Sequence, residues 1–168
     1  RRFAFGLFYW RRRRRPFASQ PFRFRCRRPS PARRAFTPPM TITFCNGKGG
    51  AGKTTLSILM GCALADVGRR VAFLDRDPQQ TATRWIRETK PSIVIAEPGG
   101  SYDALIIDTP PRLDSSLVHE SLAQADKVML VSSPSPADLW TSQDTVSVIR
   151  AHYKKDKAAL LFNRVQRQ

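Results

Sequence analysis

From residue 40 onward, short apolar runs alternate with longer segments of helical spacing. Thr41–Cys45 is a β-rich run. Lys53–Val67 is apolar on several faces and stops at Gly68, which predicts a largely buried helix. Val71–Leu74 predicts a second strand, Gln79–Glu88 a helix, Ile93–Ala96 a third strand and Ala104–Ile107 a fourth. Leu113–Ala125 reads as helix and Val128–Val131 as a fifth strand. Ser135-Pro136-Ala137-Asp138 then supplies a capping-box start with Pro at the first helical position, and Leu139, Val146, Ile149 and Tyr153 follow at helical spacing. Ala159–Phe162 closes the pattern as a strand. Apolar strands alternating with helices predict an α/β fold, a mostly parallel sheet with helices on both faces.

One connection departs from that rule. Only Glu97–Asp103 joins the third and fourth strands, whereas a parallel crossover ordinarily takes a dozen or more residues. Pro98-Gly99-Gly100-Ser101 has the composition of a tight turn. The third strand is therefore expected to be an antiparallel edge piece, or else a crossover has been lost.

Composition divides the chain in two. The formal charge of +16 suggests a nucleic-acid binder, but residues 1–39 hold 13 Arg and no acid, leaving 16 basic against 13 acidic residues in the rest. Arg11–Arg15 is a block of like charge among scattered prolines, without helical or strand period. Residues 1–39 are expected to be a disordered Arg/Pro-rich extension. It is either sequence upstream of a natural start at Met40, the favoured reading, or an arm for DNA or anionic lipid. Residues 40–168 form the globular domain. Cys26, Cys45 and Cys62 are too widely spaced for a zinc site or a disulfide framework and fit a reducing cytoplasm. No apolar run approaches a membrane span, so no membrane association is expected.

The chemistry gathers at strand ends. Gly47-Lys48-Gly49-Gly50-Ala51-Gly52-Lys53-Thr54 fits G-x-x-x-x-G-K-[ST] between a strand and a helix. Glycines let the backbone curl so that several amides face phosphate oxygens, and the following helix adds its positive end. Lys53 would reach the β/γ-phosphates, and Thr54 would offer its hydroxyl to Mg²⁺. Asp108 ends a buried strand where a carboxylate can help hold Mg²⁺. Asp75 and Asp77 end the second strand at the same sheet edge, placed to hold metal-bound water and orient the attacking water.

These residues resemble the deviant Walker A ATPases of the ParA/MinD group over roughly residues 41–164, so the fold implied is a P-loop NTPase. The signature is Lys48 within Lys48-Gly49-Gly50-Ala51-Gly52-Lys53-Thr54-Thr55. Asp75-Arg76-Asp77-Pro78-Gln79 looks like the first switch, and Tyr102–Pro111 like the Walker B strand and second switch. Val131–Leu139 is similar to small plasmid partition ATPases without a helix-turn-helix, and Asn163-Arg164 to the segment whose Asn recognises adenine. The resemblance implies an ATP- and Mg²⁺-dependent hydrolase, slow and partner-stimulated. Lys48, Lys53 and Asp77 would form its catalytic set, with Lys48 reaching across a dimer to the partner's nucleotide. Gly47–Thr55 and Asn163 would hold the nucleotide, and Thr54, Asp75 and Asp108 the metal. The implied partners are a second copy in an ATP-dependent homodimer, non-specific DNA and a ParB-like centromere-binding protein, in a nucleoid-associated cytoplasmic setting.

The chain ends soon after Asn163, where relatives continue with about two more elements carrying part of the adenine pocket and the DNA contacts. The fold is therefore expected to be incomplete at its C-terminus. Arg150, Lys154, Lys155 and Lys157 form a modest basic stretch, read as a solvated helix end. Two other readings stand beside DNA segregation: a MinD-like localisation ATPase at a membrane or cell pole, and an inactive truncated remnant. Paired cysteines that would mark the iron-protein branches are absent from the sequence.

Overall fold

The computed structural model describes residues 38–153 and 158–165. Ten elements alternate: β1 (Met40–Cys45), α1 (Lys53–Asp66), β2 (Val71–Asp75), α2 (Thr81–Thr89), β3 (Val94–Ile95), β4 (Ala104–Asp108), α3 (Ser116–Gln124), β5 (Lys127–Ser132), α4 (Pro136–His152) and β6 (Ala158–Phe162). The strands form one six-stranded sheet in the order β3-β2-β4-β1-β5-β6, with every pairing parallel. Residues 1–37 of the Arg/Pro-rich extension, and Lys154, Lys155 and Lys157 of the basic stretch, lie outside the described residues.

Alternating residues of the central strands feed two cores. Ile42 and Phe44 of β1 join Phe73, Ile106 and Val131 beneath α1 and α2, where Ile58, Ala65, Ala82 and Ile86 complete the cluster. Cys45, Val128 and Leu130 pack with Val118, Leu122 and Ile149 of α3 and α4. Helices therefore cover both faces, as parallel strands apolar on both sides require. Helix α1 buries one stripe, with Ser57, Ile58, Gly61 and Ala65 inward, while Leu59 is half exposed; the expectation of a largely buried helix is corrected to that extent. Among the described residues no helix is long and apolar enough to cross a membrane.

The third strand separates the two alternatives. It is an edge piece but runs parallel to β2, with Ala72 opposite Val94 and Phe73 opposite Ile95, so the antiparallel direction is corrected and the connection without a crossover helix holds. The return to β4 needs no helix because both strands are short. The Ala96 amide still bonds to the Phe73 carbonyl (2.9 Å), and Asp103 already bonds to the Arg70 carbonyl (2.8 Å). Residues 96–103, extended, reach roughly 27 Å, which exceeds the roughly 17 Å length of a strand the size of β2. A turn closed by Gly100 N–H on the Glu97 carbonyl (3.1 Å) takes up the slack.

The order of strands places the site. The chain leaves β1 toward β2 on one side and reaches β5 on the other, so β1 and β4 end at the crevice where the winding reverses.

Candidate functional site

The loop between β1 and α1 curls at Gly50 (φ 72°) and Gly52 (φ 96°), left-handed positions that favour glycine. Gly47 is needed for a different reason: a Cβ there would stand 2.7 Å from Leu113 Cγ. The loop is braced from three directions. Below it, Asn46, buried at the end of β1, donates to the Val131 carbonyl (2.5 Å) and accepts from the Lys48 amide (2.8 Å). From α4, the Thr145 hydroxyl accepts from the Gly47 amide (3.1 Å). Beyond β6, Asn163 Nδ2 donates to the Ala51 carbonyl (3.0 Å) and the Arg164 guanidinium to the Gly50 carbonyl (3.1 Å).

Lys53 is 6% exposed in the first turn of α1, and its Nζ donates to the Lys48 carbonyl (3.2 Å). Burial lowers the pKa of this amine, while Asp108 and Asp77 nearby favour its charge. Thr54 Oγ1 donates to Asp108 Oδ2 at 2.5 Å. Asp108 Oδ1 is buried with no hydrogen-bond partner. Burial pushes the Asp108 carboxyl up to about 7; the Thr54 hydrogen bond opposes that shift and neighbouring Asp75 reinforces it. A buried carboxylate oxygen without a donor, beside a hydroxyl and a phosphate loop, suits a hard divalent cation. Thr54 and Asp108 therefore fit Mg²⁺.

Asp75 lies beside Asp108 in register across β2 and β4, so the two carboxylates share one edge. Both Asp75 oxygens already accept amides, from Asp77 (3.1 Å) and Thr83 (2.9 Å), the latter at the start of α2. Here Asp75 acts as a capping carboxylate that fixes the turn between β2 and α2. Asp77 Oδ1 accepts from the Gln79 amide (3.0 Å), and its side chain borders an open cleft shared with Pro110, Pro111 and Ser115.

The remaining expected residues stand as follows. Gly49 has open space around it, Thr55 is exposed on the first turn of α1, and Lys48 forms an ion pair with Asp138 of its own chain. Asp138 also accepts from Ser133 Oγ (2.5 Å), and these two donors, Lys48 first, hold its carboxyl below the ordinary range. Asn163, expected at adenine, is brought to the site, where its Nδ2 donates to the Ala51 carbonyl and its Oδ1 accepts from the Arg164 amide (2.9 Å). Asn46, Thr145, Leu113 and Asp138 were not singled out from the sequence for the site, and Arg164 entered only as the neighbour of Asn163. Only Asn46 carried a signal, as a polar residue interposed between an apolar strand and the first loop glycine. Cys45 sits at the same strand end; burial raises its thiol to about 12, so it is no nucleophile.

Residues 42–168 match the CobQ/CobB/MinD/ParA nucleotide binding domain. The chain belongs to this family. Across 147 residues it is 31% identical to the maintenance of carboxysome distribution protein A of Halothiobacillus neapolitanus, covering 75% of this chain and 67% of that protein. Among solved structures, a plasmid partition protein of Borrelia burgdorferi bound to AMPPNP superposes with a TM-score of 0.66 at 18% identity, over 77% of this chain and 76% of that one. The pNOB8 ParA bound to nonspecific DNA superposes with a TM-score of 0.61 at 18% identity, over 77% and 69% of the two chains. The P-loop NTPase fold of the ParA/MinD group is thus shared with these structures. The chain spans between 56% and 67% of the length of the first curated relatives it matches. Within this nucleotide binding domain, the glycine curl, Lys53 and the Thr54–Asp108 pair lie together where β1 and β4 end.

Proposed function

We propose that this chain is the ATP-hydrolysing core of a ParA-like segregation protein. The observation that carries the reading is the buried, unpaired Asp108 oxygen beside Thr54, directly under a phosphate loop with two lysines. In phosphoryl transfer the protein mainly positions groups and stabilises charge. Lys53 would leave the Lys48 carbonyl for the β/γ-phosphates. Thr54 and Asp108 would hold Mg²⁺, which when bound neutralises charge on the terminal phosphates, with Asp75 steadying the switch beside them. Asp77 would orient the attacking water. Lys48 would exchange Asp138 for the nucleotide of a second copy, so that ATP closes a homodimer. The closed dimer would bind DNA non-specifically, a reading supported by the DNA-bound pNOB8 ParA, and a ParB-like partner would speed hydrolysis and release it.

Mg-ATP turnover tests this directly. Lys53→Ala should lower it by roughly 100-fold or more, the scale of removing a group aimed at transition-state charge. Turnover at the parent rate in a folded Lys53→Ala protein would refute the assignment.

A second reading keeps the same switch but changes the cargo to a protein-bound body, and the carboxysome-distribution relative favours it. A centromere-binding protein that raises the hydrolysis rate supports partition. Stimulation only by a protein adaptor of such a body supports the alternative.

A further inference from the structure

Asn163 and Arg164 together do something at the loop that the nucleotide-binding role alone does not call for. The Asn163 amide is anchored on the Ser132 carbonyl (2.8 Å), at the end of β5. Arg164 then adopts a left-handed backbone (φ 58°), a conformation strained for a side chain of its size and held here by its own amide bonding to Asn163 Oδ1 (2.9 Å). The result is that two consecutive side chains reach two consecutive carbonyls, Gly50 O from Arg164 and Ala51 O from Asn163.

In a planar trans peptide, a carbonyl and the following N–H point in opposite directions. Fixing the Gly50 and Ala51 carbonyls therefore fixes the Ala51 and Gly52 amides. On the nucleotide-binding reading, these amides belong to the curl that would face phosphate. Gly50 itself has no neighbour within 4 Å of where a Cβ would lie, whereas Ala51 packs against the first core cluster, so the Arg164 hydrogen bond holds the Gly50 end of the peptide between them.

We infer that Arg164 is a positioning residue for nucleotide binding: by holding the Gly50–Ala51 peptide it aims the Ala51 amide at the phosphates, and it acts alike on ADP and ATP. This rests on the nucleotide-binding reading of the loop. The guanidinium touches backbone, not ligand, so no preference for the terminal phosphate follows from it.

The test uses the full chain with Arg164→Ala and Arg164→Lys, titrated calorimetrically with Mg-ADP and Mg-ATP, alongside the Ala51 amide resonance of the free protein. Loss of one charge-assisted hydrogen bond should weaken both nucleotides by about 5- to 20-fold and to the same extent. Arg164→Lys, which keeps a charged donor of similar reach, should recover part of that. The Ala51 resonance should shift in the free Arg164→Ala protein while its melting temperature stays near the parent's. If Arg164→Ala fails to fold, an intermediate loss and a smaller Ala51 shift in Arg164→Lys decide the matter. Parent-like affinities with an unmoved Ala51 amide overturn the inference, as does a loss confined to ATP, which would put the guanidinium on the terminal phosphate. A parent protein that binds neither nucleotide sinks the nucleotide reading, while the Ala51 amide still reports on the brace.

Discussion

Asp108 concentrates the electrostatic tension of the site in one side chain. Its carboxyl rises from an ordinary 3.8 to about 7 because burial penalises the charge. The folded form therefore holds the proton to higher pH than the unfolded chain does. Stability at this residue is undiminished below about pH 4, falls as pH rises toward 7, and stays reduced above that. Asp108→Asn keeps an oxygen for the Thr54 hydroxyl and removes the buried charge. Its free protein should melt above the parent at pH 8, with the advantage shrinking as pH falls from 7 to 4. The same variant should bind Mg-ATP more weakly at pH 8. Scanning calorimetry across pH and a nucleotide titration check both halves; a free variant less stable than the parent at pH 8 would contradict the sign. From the sequence, Asp108 was legible as a carboxylate at a strand end after a phosphate loop. Its missing hydrogen-bond partner was not, since that depends on which neighbours the strand register supplies.

At the scale of elements, most of the fold could be read from periodicity. The strands and helices of residues 40–162 occur where apolar spacing placed them, with ends moved by a few residues. Helix α3 begins at Ser116 rather than Leu113 because residues 112–115 form a turn, closed by Ser115 N–H on the Arg112 carbonyl (3.3 Å), that leaves the Leu113 side chain over Gly47. What pattern alone left open between two alternatives was the direction of β3, since periodicity reports which residues are buried and not how far a loop must travel. The lateral braces on the loop were also illegible: Thr145 and Arg164 lie 98 and 114 positions from their loop partners. The junction of loop and α1 supplies a prediction here. Gly52 is left-handed, and a Cβ on it would meet Asn163 Nδ2 at 2.1 Å. Gly52→Ala should cost about 1–2 kcal/mol for the backbone alone. It should also displace Asn163 and weaken nucleotide binding sharply. Chemical denaturation and an ADP titration measure the two effects, and unchanged affinity would show that Asn163 can yield without disturbing the curl.

Over the whole molecule, the sheet formed by the described residues ends differently on its two sides. The β3 edge has only two residues, a brevity that protects against edge pairing. The other edge, β6, is five residues long and exposed along most of its length, with Leu160 and Phe162 each about 40% exposed. Leu160 also lines a groove with Leu130, Leu139 and Val146. Such an edge invites a second chain. The 168-residue chain should therefore self-associate with rising concentration independently of nucleotide, and Leu160→Lys should reduce this with a stability change within about 0.5 kcal/mol. Light scattering with and without ATP distinguishes it from nucleotide-driven dimerisation; association unaffected by Leu160→Lys would place the contact elsewhere.

The packing of Leu113 against the first loop glycine has a mechanical corollary. The rim of the nucleotide pocket and the stretch that leads into α3 cannot shift independently, because the space beside Gly47 is already occupied by that leucine. A macromolecule that grips the Pro110–Ser115 segment from outside would have purchase on the loop without entering the crevice. Conversely, an incoming phosphate that rearranges the curl would be announced on the protein's exterior through a single isobutyl group.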